Sequence, residues 1–422
     1  MLLNLVIISF LTLYCDCQQF LTRNNFNLMT EVFSWKQLTF DLNGARYLHD
    51  SNYERIESSV LFEQELEDDE RFFIQYNNVP VGFEVDEPGN RVFITVPKRR
   101  YGIISTLNYV SLNASAEPIL KPYPSYEKGK ELVSVYRPRI DACNRLWFID
   151  TGLQEIPDDR KQVRPPAIFI YDLNTNQEIM KHELDASVLK GERTSGGLTS
   201  ITVDVTATTC DNAFAYISDL ATETMIVFSL KERASWKIEH ATFGFDIGAT
   251  NFSIGGQVIP WRDGLFSVAL TEPDSAGVRK AFYHPLTATQ EFSTNTNVLR
   301  DRNGDLDKNF KLEGVRGAWS QSGSHDYHAG TRTLHFANVA QDAITCWNID
   351  TPLKSANVAI TAQEHTKLSY VSDLKIIGDD VWVLANQMPK FVYGMLNYAE
   401  FNFFLFRGNV KRLISGTKCN KK

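Results

Sequence analysis

Two aromatic residues, Tyr136 and Phe266, and one hydroxyl, Ser372, stand at the starts of strand-like runs in this sequence. Two carboxylates, Asp150 and Asp219, with Thr151 and the amides Asn338 and Asn386, stand at the ends of the runs that follow. If the runs pair as hairpins, these starts and ends share one face. Aromatic faces beside carboxylates attract an ammonium through the ring quadrupole and charge, and hydroxyls and amides orient a small ligand. The set could therefore hold a small aromatic molecule, an amine or a catechol; the plainer reading is polar strand ends that bind ordered water. Moving a proton on such a ring needs an acid and a base, and His284, Asp150 and Asp219 supply the residue types. Asp150, Asp219, Asn338 and Asn386 could also gather calcium, but no spacing demands it, and no metal or other cofactor is expected.

His325 and His328, in the stretch SHDYH, invite a metal reading. Three-residue spacing without further ligands is poor evidence for zinc. They read as a solvated turn on the opposite face, so replacing His325 is expected to change nothing at the first set. The chain has no G-x-S-x-G elbow, no H-E-x-x-H and no phosphate-binding P-loop.

The elements that position these residues recur along the chain. The clearest is YRPRIDACNRLWFIDTG, residues 136–152: an extended run, a polar Asp-Ala-Cys-Asn turn, then an apolar run. Its β-branched and aromatic content around an Asp/Asn turn predicts a β-hairpin. The same unit returns at 79–97, 198–220, 264–286, 316–339 and 370–388, and third strands follow at 106–111, 167–173, 224–230 and 343–349. The step between units, roughly 48 to 68 residues, is that of a β-propeller blade. Six units predict an all-β, six-bladed propeller. The lone strand 33–42 then pairs with the last blade, closing the ring and removing exposed sheet edges. One propeller domain over 18–422 is expected.

Composition agrees with this reading. With 43% apolar and 12% aromatic residues the chain can build a large core, and a net charge of −8 argues against a nucleic-acid partner. The first residues, MLLNLVIISFLTLYCDCQQ, read as a secretory signal cleaved near Cys17. No later stretch reaches the about 20 apolar residues of a membrane span, so a secreted, extracellular protein without membrane attachment is expected. Removing 1–17 leaves Cys143, Cys210, Cys346 and Cys419, an even count that allows three pairings. Cys143 and Cys210 fall in the same turn of consecutive units, which favours Cys143–Cys210 with Cys346–Cys419. Asn113 and Asn251 head glycosylation sequons in expected loops. The acidic run 63–70 reads as a solvated insertion.

Taken together, RVFITVPKRRYGIISTLNYV (91–110), the 136–152 unit, AITCWN (343–348), VWVLANQMP (381–389) and the terminal Cys419 resemble the insect yellow/major royal jelly protein family. That resemblance spans about Trp35 to Cys419. It implies a six-bladed propeller with two disulfides. Members from the saliva of blood-feeding insects bind biogenic amines at the propeller mouth, which by resemblance points to Tyr136, Phe266, Ser372, Asn386 and Met388. Those members carry Thr, Asn and Phe in the last blade; here the positions are Ser372, Asn386 and Met388. Other relatives are credited with dopachrome conversion, a tautomerisation in melanin synthesis, and royal jelly proteins are nutritive. The resemblance thus implies a pigment-linked protein that binds a small aromatic (catechol, indole or biogenic amine), an isomerase of the dopachrome type, or a structural or nutritive protein.

Overall fold

Each of the six sequence units becomes the inner half of a four-stranded antiparallel sheet in the computed structural model, which describes residues 24–51, 72–156, 160–190, 197–304 and 308–421. Blade one holds Gly82–Asp86, Arg91–Thr95, Leu107–Ser111 and Lys121–Pro122; blade two holds Arg139–Ile140, Arg145–Asp150, Ala167–Asp172 and Gln177–Glu183. Blade three runs Leu198–Asp204, Phe214–Asp219, Thr224–Ser229 and Ala234–Glu239, and blade four Leu265–Leu270, Lys280–Pro285, Gln290–Asn295 and Lys311–Val315. Blade five contains Ser322–His328, Thr333–Asn338, Ala343–Asn348 and Val358–Gln363. Blade six contains Val371–Ile377, Asp380–Ala385 and Phe403–Asn409, with Thr30–Trp35 as its outer strand. The fold is a six-bladed β-propeller.

The middle strands are apolar on both sides because each blade is sandwiched between two others. Arg145–Asp150 is buried along its whole length, whereas the outer strand Gln177–Glu183 is mostly exposed. The core is therefore divided among the gaps between blades. Trp147, Ile168, Ile217 and Phe228 fill the gap between blades two and three, and Phe282, Leu334, Phe336 and Trp347 the gap between four and five. The turn of the 136–152 unit is organised by Asp141. Its Oδ1 accepts the backbone N–H groups of Cys143 (2.9 Å) and Arg145 (3.0 Å), and its Oδ2 accepts Arg145 Nε and Trp147 Nε1, both at 2.8 Å. Asn144 takes the left-handed conformation (φ 56°) that Asn tolerates in such turns.

Ring closure holds with shifted bounds. Thr30–Trp35 pairs antiparallel with the strand Phe403–Asn409, but the expected strand 33–42 breaks after Trp35. Phe40–Leu42 turns back instead on Ala45–Tyr47 through Asn43-Gly44, both at positive φ. Asn-Gly is a strong hairpin dipeptide, and it diverts these residues from the blade. Blade five also departs from expectation. Its inner strand is Ser322–His328, not 316–322, so SHDYH is a strand and not a solvated turn.

Both disulfides form as expected. Cys143 is joined to Cys210 and Cys346 to Cys419, with Cα separations of 5.8 and 6.1 Å. Asn113 and Asn251 are exposed, Asn251 opening a small hairpin, Asn251–Ile254 with Gln257–Pro260. The expected signal, residues 1–17, and the acidic run 63–70 lie outside the described residues. Among the described residues no helix is long and apolar enough to cross a membrane.

Candidate functional site

Among the described residues the propeller channel holds a cavity of about 280 Å³ at one mouth and another of about 160 Å³ toward its other end. Four residues of the sequence-derived set line the mouth cavity: Tyr136, Phe266, Asn386 and Met388. Asp150, Thr151, Asp219, Asn338 and Ser372 are buried, and neither cavity is lined by them.

Their hydrogen bonds explain why. At the end of its second strand each carboxylate or amide closes the chain reversal that follows. Asp150 accepts the backbone N–H groups of Val133 (2.8 Å), Ser134 (2.7 Å) and Gly152 (3.1 Å). Asp219 accepts those of Ala221 (3.1 Å) and Thr222 (3.2 Å) and the Thr222 hydroxyl (2.6 Å). Asn338 accepts from Ala340 and Gln341, and Asn386 from Met388 while donating to the Pro80 carbonyl at 2.6 Å. Short polar side chains favour such local turns. Thr151 and Ser372 donate to the carbonyls of Ser134 and Leu384. The recurrence at strand ends is a rule of blade construction.

The mouth has chemistry that the sequence reading passed over. Arg137 lines both cavities and so stands between them. Its Nε donates to the Ser372 carbonyl (2.7 Å) and its Nη1 to the Thr199 carbonyl (3.0 Å), tying blade two to blades six and three. Its guanidinium lies 4.6 Å from the Phe266 ring centre. Burial pulls the Arg137 pKa down, and the Asp373 carboxylate opposes that pull. Arg99, Arg160 and Arg262 also line the mouth. The signal for Arg137 was legible: in YRPRI, Arg137 and Arg139 share one face of an extended run, and that face is the channel.

Asp263 is the one carboxylate lining the mouth among the described residues. It is half-buried, and the Trp261 indole N–H donates to its Oδ2. Its backbone is clamped by Thr287, whose hydroxyl accepts the Asp263 N–H at 3.1 Å and whose N–H donates to the Asp263 carbonyl at 3.0 Å. Burial pushes its pKa up to about 6, against the lowering effects of Trp261 and Arg99. Burial also raises Asp219 to about 6, but both its oxygens are committed to the turn. Tyr136 places a buried hydroxyl beside the mouth that no described residue hydrogen-bonds.

The smaller cavity is polar and internally compensated. Lys375 Nζ donates to the carbonyls of Phe83 and Pro138, both at 2.6 Å, and to Asp373 at 3.1 Å. Arg139 pairs with Asp326 at 2.8 Å. His325 lines this cavity and belongs to a buried network between blades four and five. The Ser267 hydroxyl meets its Nδ1, Glu291 Oε1 lies 3.3 Å from its Nε2, and its ring stacks on Phe336. His284 Nδ1 is 2.9 Å from Glu291 Oε2 and its Nε2 is 3.1 Å from the Gly323 carbonyl. His284 is thus walled off from the mouth, and burial lowers its pKa to about 4. Burial alone would raise Glu291, but His284 and His325 hold it below the ordinary range. His328 ends the strand, 3.1 Å from Asp379. Among the described residues only His284, Glu291 and His325 are grouped closely enough to meet a cation. Arg316 already lies 2.6 Å from Glu291 and compensates its charge.

A family model described as "Major royal jelly protein" matches residues 133–419. This chain belongs to the yellow/major royal jelly protein family. Over 408 residues it is 38% identical to the Drosophila melanogaster protein named L-dopachrome tautomerase yellow-f, covering 93% of this chain and 94% of that one. It is 30% identical over 370 residues to the Drosophila melanogaster dopaminechrome tautomerase, covering 82% and 78%. Protein yellow of Drosophila madeirensis is 31% identical over 405 residues, covering 93% and 67%. In this yellow-family chain the mouth keeps Tyr136, Phe266, Asn386 and Met388 from the expected set and adds Arg137 and Asp263.

Proposed function

We propose that this protein is an extracellular aminochrome tautomerase, isomerising a dopachrome-type indole quinone in the mouth cavity on the route to melanin. The reaction moves two protons, one from each of two ring carbons, to the two quinone oxygens and needs no redox partner. It requires a flat pocket, a positive environment for the anionic oxygen, and a base. The carrying observation is the mouth lining: aromatic faces from Phe266, Tyr136 and Trp261, guanidinium groups from Arg99, Arg137, Arg160 and Arg262, and, alone among the carboxylates of the described residues, Asp263. The names of two relatives, L-dopachrome tautomerase and dopaminechrome tautomerase, support the same chemistry.

The lining also ranks the alternatives. Among the described residues an ammonium ligand would meet four guanidinium groups against one carboxylate, and like charges at close range cost affinity. A quinone bearing a carboxylate is favoured by the same charges. The two disulfides suit an oxidising, extracellular setting. The test is the rate of dopachrome colour loss with purified protein against heat-inactivated protein. Acceleration proportional to enzyme concentration supports the reading; identical rates contradict it.

A further inference from the structure

Tautomerisation at this mouth needs a group that takes a proton from carbon, and neither His284 nor the strand-end carboxylates can reach the cavity. We propose that Asp263 is the catalytic base of this site, its Oδ1 removing the ring-carbon proton of the bound quinone; this assignment rests on the tautomerase reading above. Asp263 is the mouth's one carboxylate among the described residues, and no described residue donates a hydrogen bond to its Oδ1. Oδ2 is fixed by the Trp261 indole, and the backbone is fixed on both sides by Thr287. A base must be held in place and must keep a lone pair free. Asp263 meets both conditions; Asp150 and Asp219 meet the first alone.

The step balances without a co-reactant. In the first of two proton transfers a ring C–H bond breaks toward Asp263 Oδ1, and its electron pair moves through the ring to a quinone oxygen, giving a quinone methide. That oxygen is held by the cationic lining and then protonated from water, while Asp263 returns its proton to water; loss of the second ring-carbon proton to the regenerated carboxylate, with protonation of the second oxygen from water, completes the dihydroxyindole. Arg99 and Tyr370 are the titratable groups that interact with Asp263, and Arg137, Arg160 and Arg262 line the same cavity. Arg99 and the Trp261 hydrogen bond favour the carboxylate form. Burial nevertheless leaves Asp263 a stronger base than a surface carboxylate, with a pKa of about 6, and so ionised at neutral pH.

The experiment compares wild type, D263N and W261F with dopachrome across pH, and measures binding of the catechol product separately. Wild-type kcat/KM should fall as pH drops below about 6. D263N should lose turnover by about 100-fold or more while binding product within about threefold of wild type, the carboxylate-to-amide change being nearly isosteric. W261F removes a hydrogen bond that favours the ionised form, so the acid limb should move to higher pH; a purely structural tryptophan would not move it. Turnover by D263N within a few-fold of wild type, or an unmoved limb in W261F, overturns the assignment and leaves the tautomerase reading standing. No turnover by wild type overturns both.

Discussion

Replacing Arg137 with methionine removes the charge that separates the two cavities while keeping most of the side-chain length. Two charge-assisted hydrogen bonds disappear, to the Ser372 carbonyl at 2.7 Å and to the Thr199 carbonyl at 3.0 Å. Each is worth about 1.5–3 kcal/mol, and the contact with Phe266 at 4.6 Å adds about 0.5–2 kcal/mol. Cavities on both sides let water reach the freed carbonyls, which offsets part of the loss. The net expectation is destabilisation of about 2–4 kcal/mol, read from urea unfolding as a lower midpoint with an unchanged slope. Arg137 Nη2 makes no hydrogen bond with the described residues. It is therefore available to an anionic ligand. Losing that contact should raise the dopachrome KM about tenfold or more, and Arg137→Lys should restore only part of it because lysine lacks the planar fork. A variant as stable as wild type with an unchanged KM would refute the role given to Arg137.

Three further outcomes follow from the buried network and the staples. His325→Ala removes partners of Ser267 and Glu291 and a ring stacked on Phe336; it should destabilise by about 2–4 kcal/mol in denaturant titration, whereas the sequence alone predicts only that it leaves binding at the mouth unchanged. His284, held neutral in the fold with its pKa lowered from 6.5 to about 4, takes up its proton more readily when unfolded. Its contribution is full above pH 6.5 and is lost as pH falls toward 4, on the order of 3 kcal/mol; Glu291, also depressed, adds to the loss at still lower pH, and a falling Tm over this range is the readout. Non-reducing peptide mapping should recover Cys143 with Cys210 and Cys346 with Cys419, and Cys346→Ser with Cys419→Ser should lower stability by about 2–4 kcal/mol.

The propeller was legible because its second strands are. Runs such as Leu146–Ile149 are buried on both faces and begin after Asp/Asn turns, so each unit announces itself locally. Blade five was read out of register because its inner strand, Ser322–His328, faces the channel and a buried polar network. A polar strand with no apolar alternation resembles a turn. The strand-end residues Asp150, Asp219, Asn338 and Asn386 share a position in their blades, yet backbone N–H groups claim them, a use that Asp and Asn at chain reversals favour as much as ligand binding. Asp263 reaches the mouth from the connection between blades three and four, and Arg99 from the connection between the second and third strands of blade one; neither connection carries a repeat to align. The His284–Glu291–His325 cluster joins residues from two blades, so no local spacing reveals it.

The most direct test of the account is the identity of the product. Dopachrome incubated with this protein and resolved by chromatography should yield the dihydroxyindole that keeps its carboxylate, faster than buffer alone and in proportion to protein added. If the product mixture and its rate of formation match the uncatalysed reaction, the mouth defined by Arg137, Phe266 and Asp263 is not a tautomerase site.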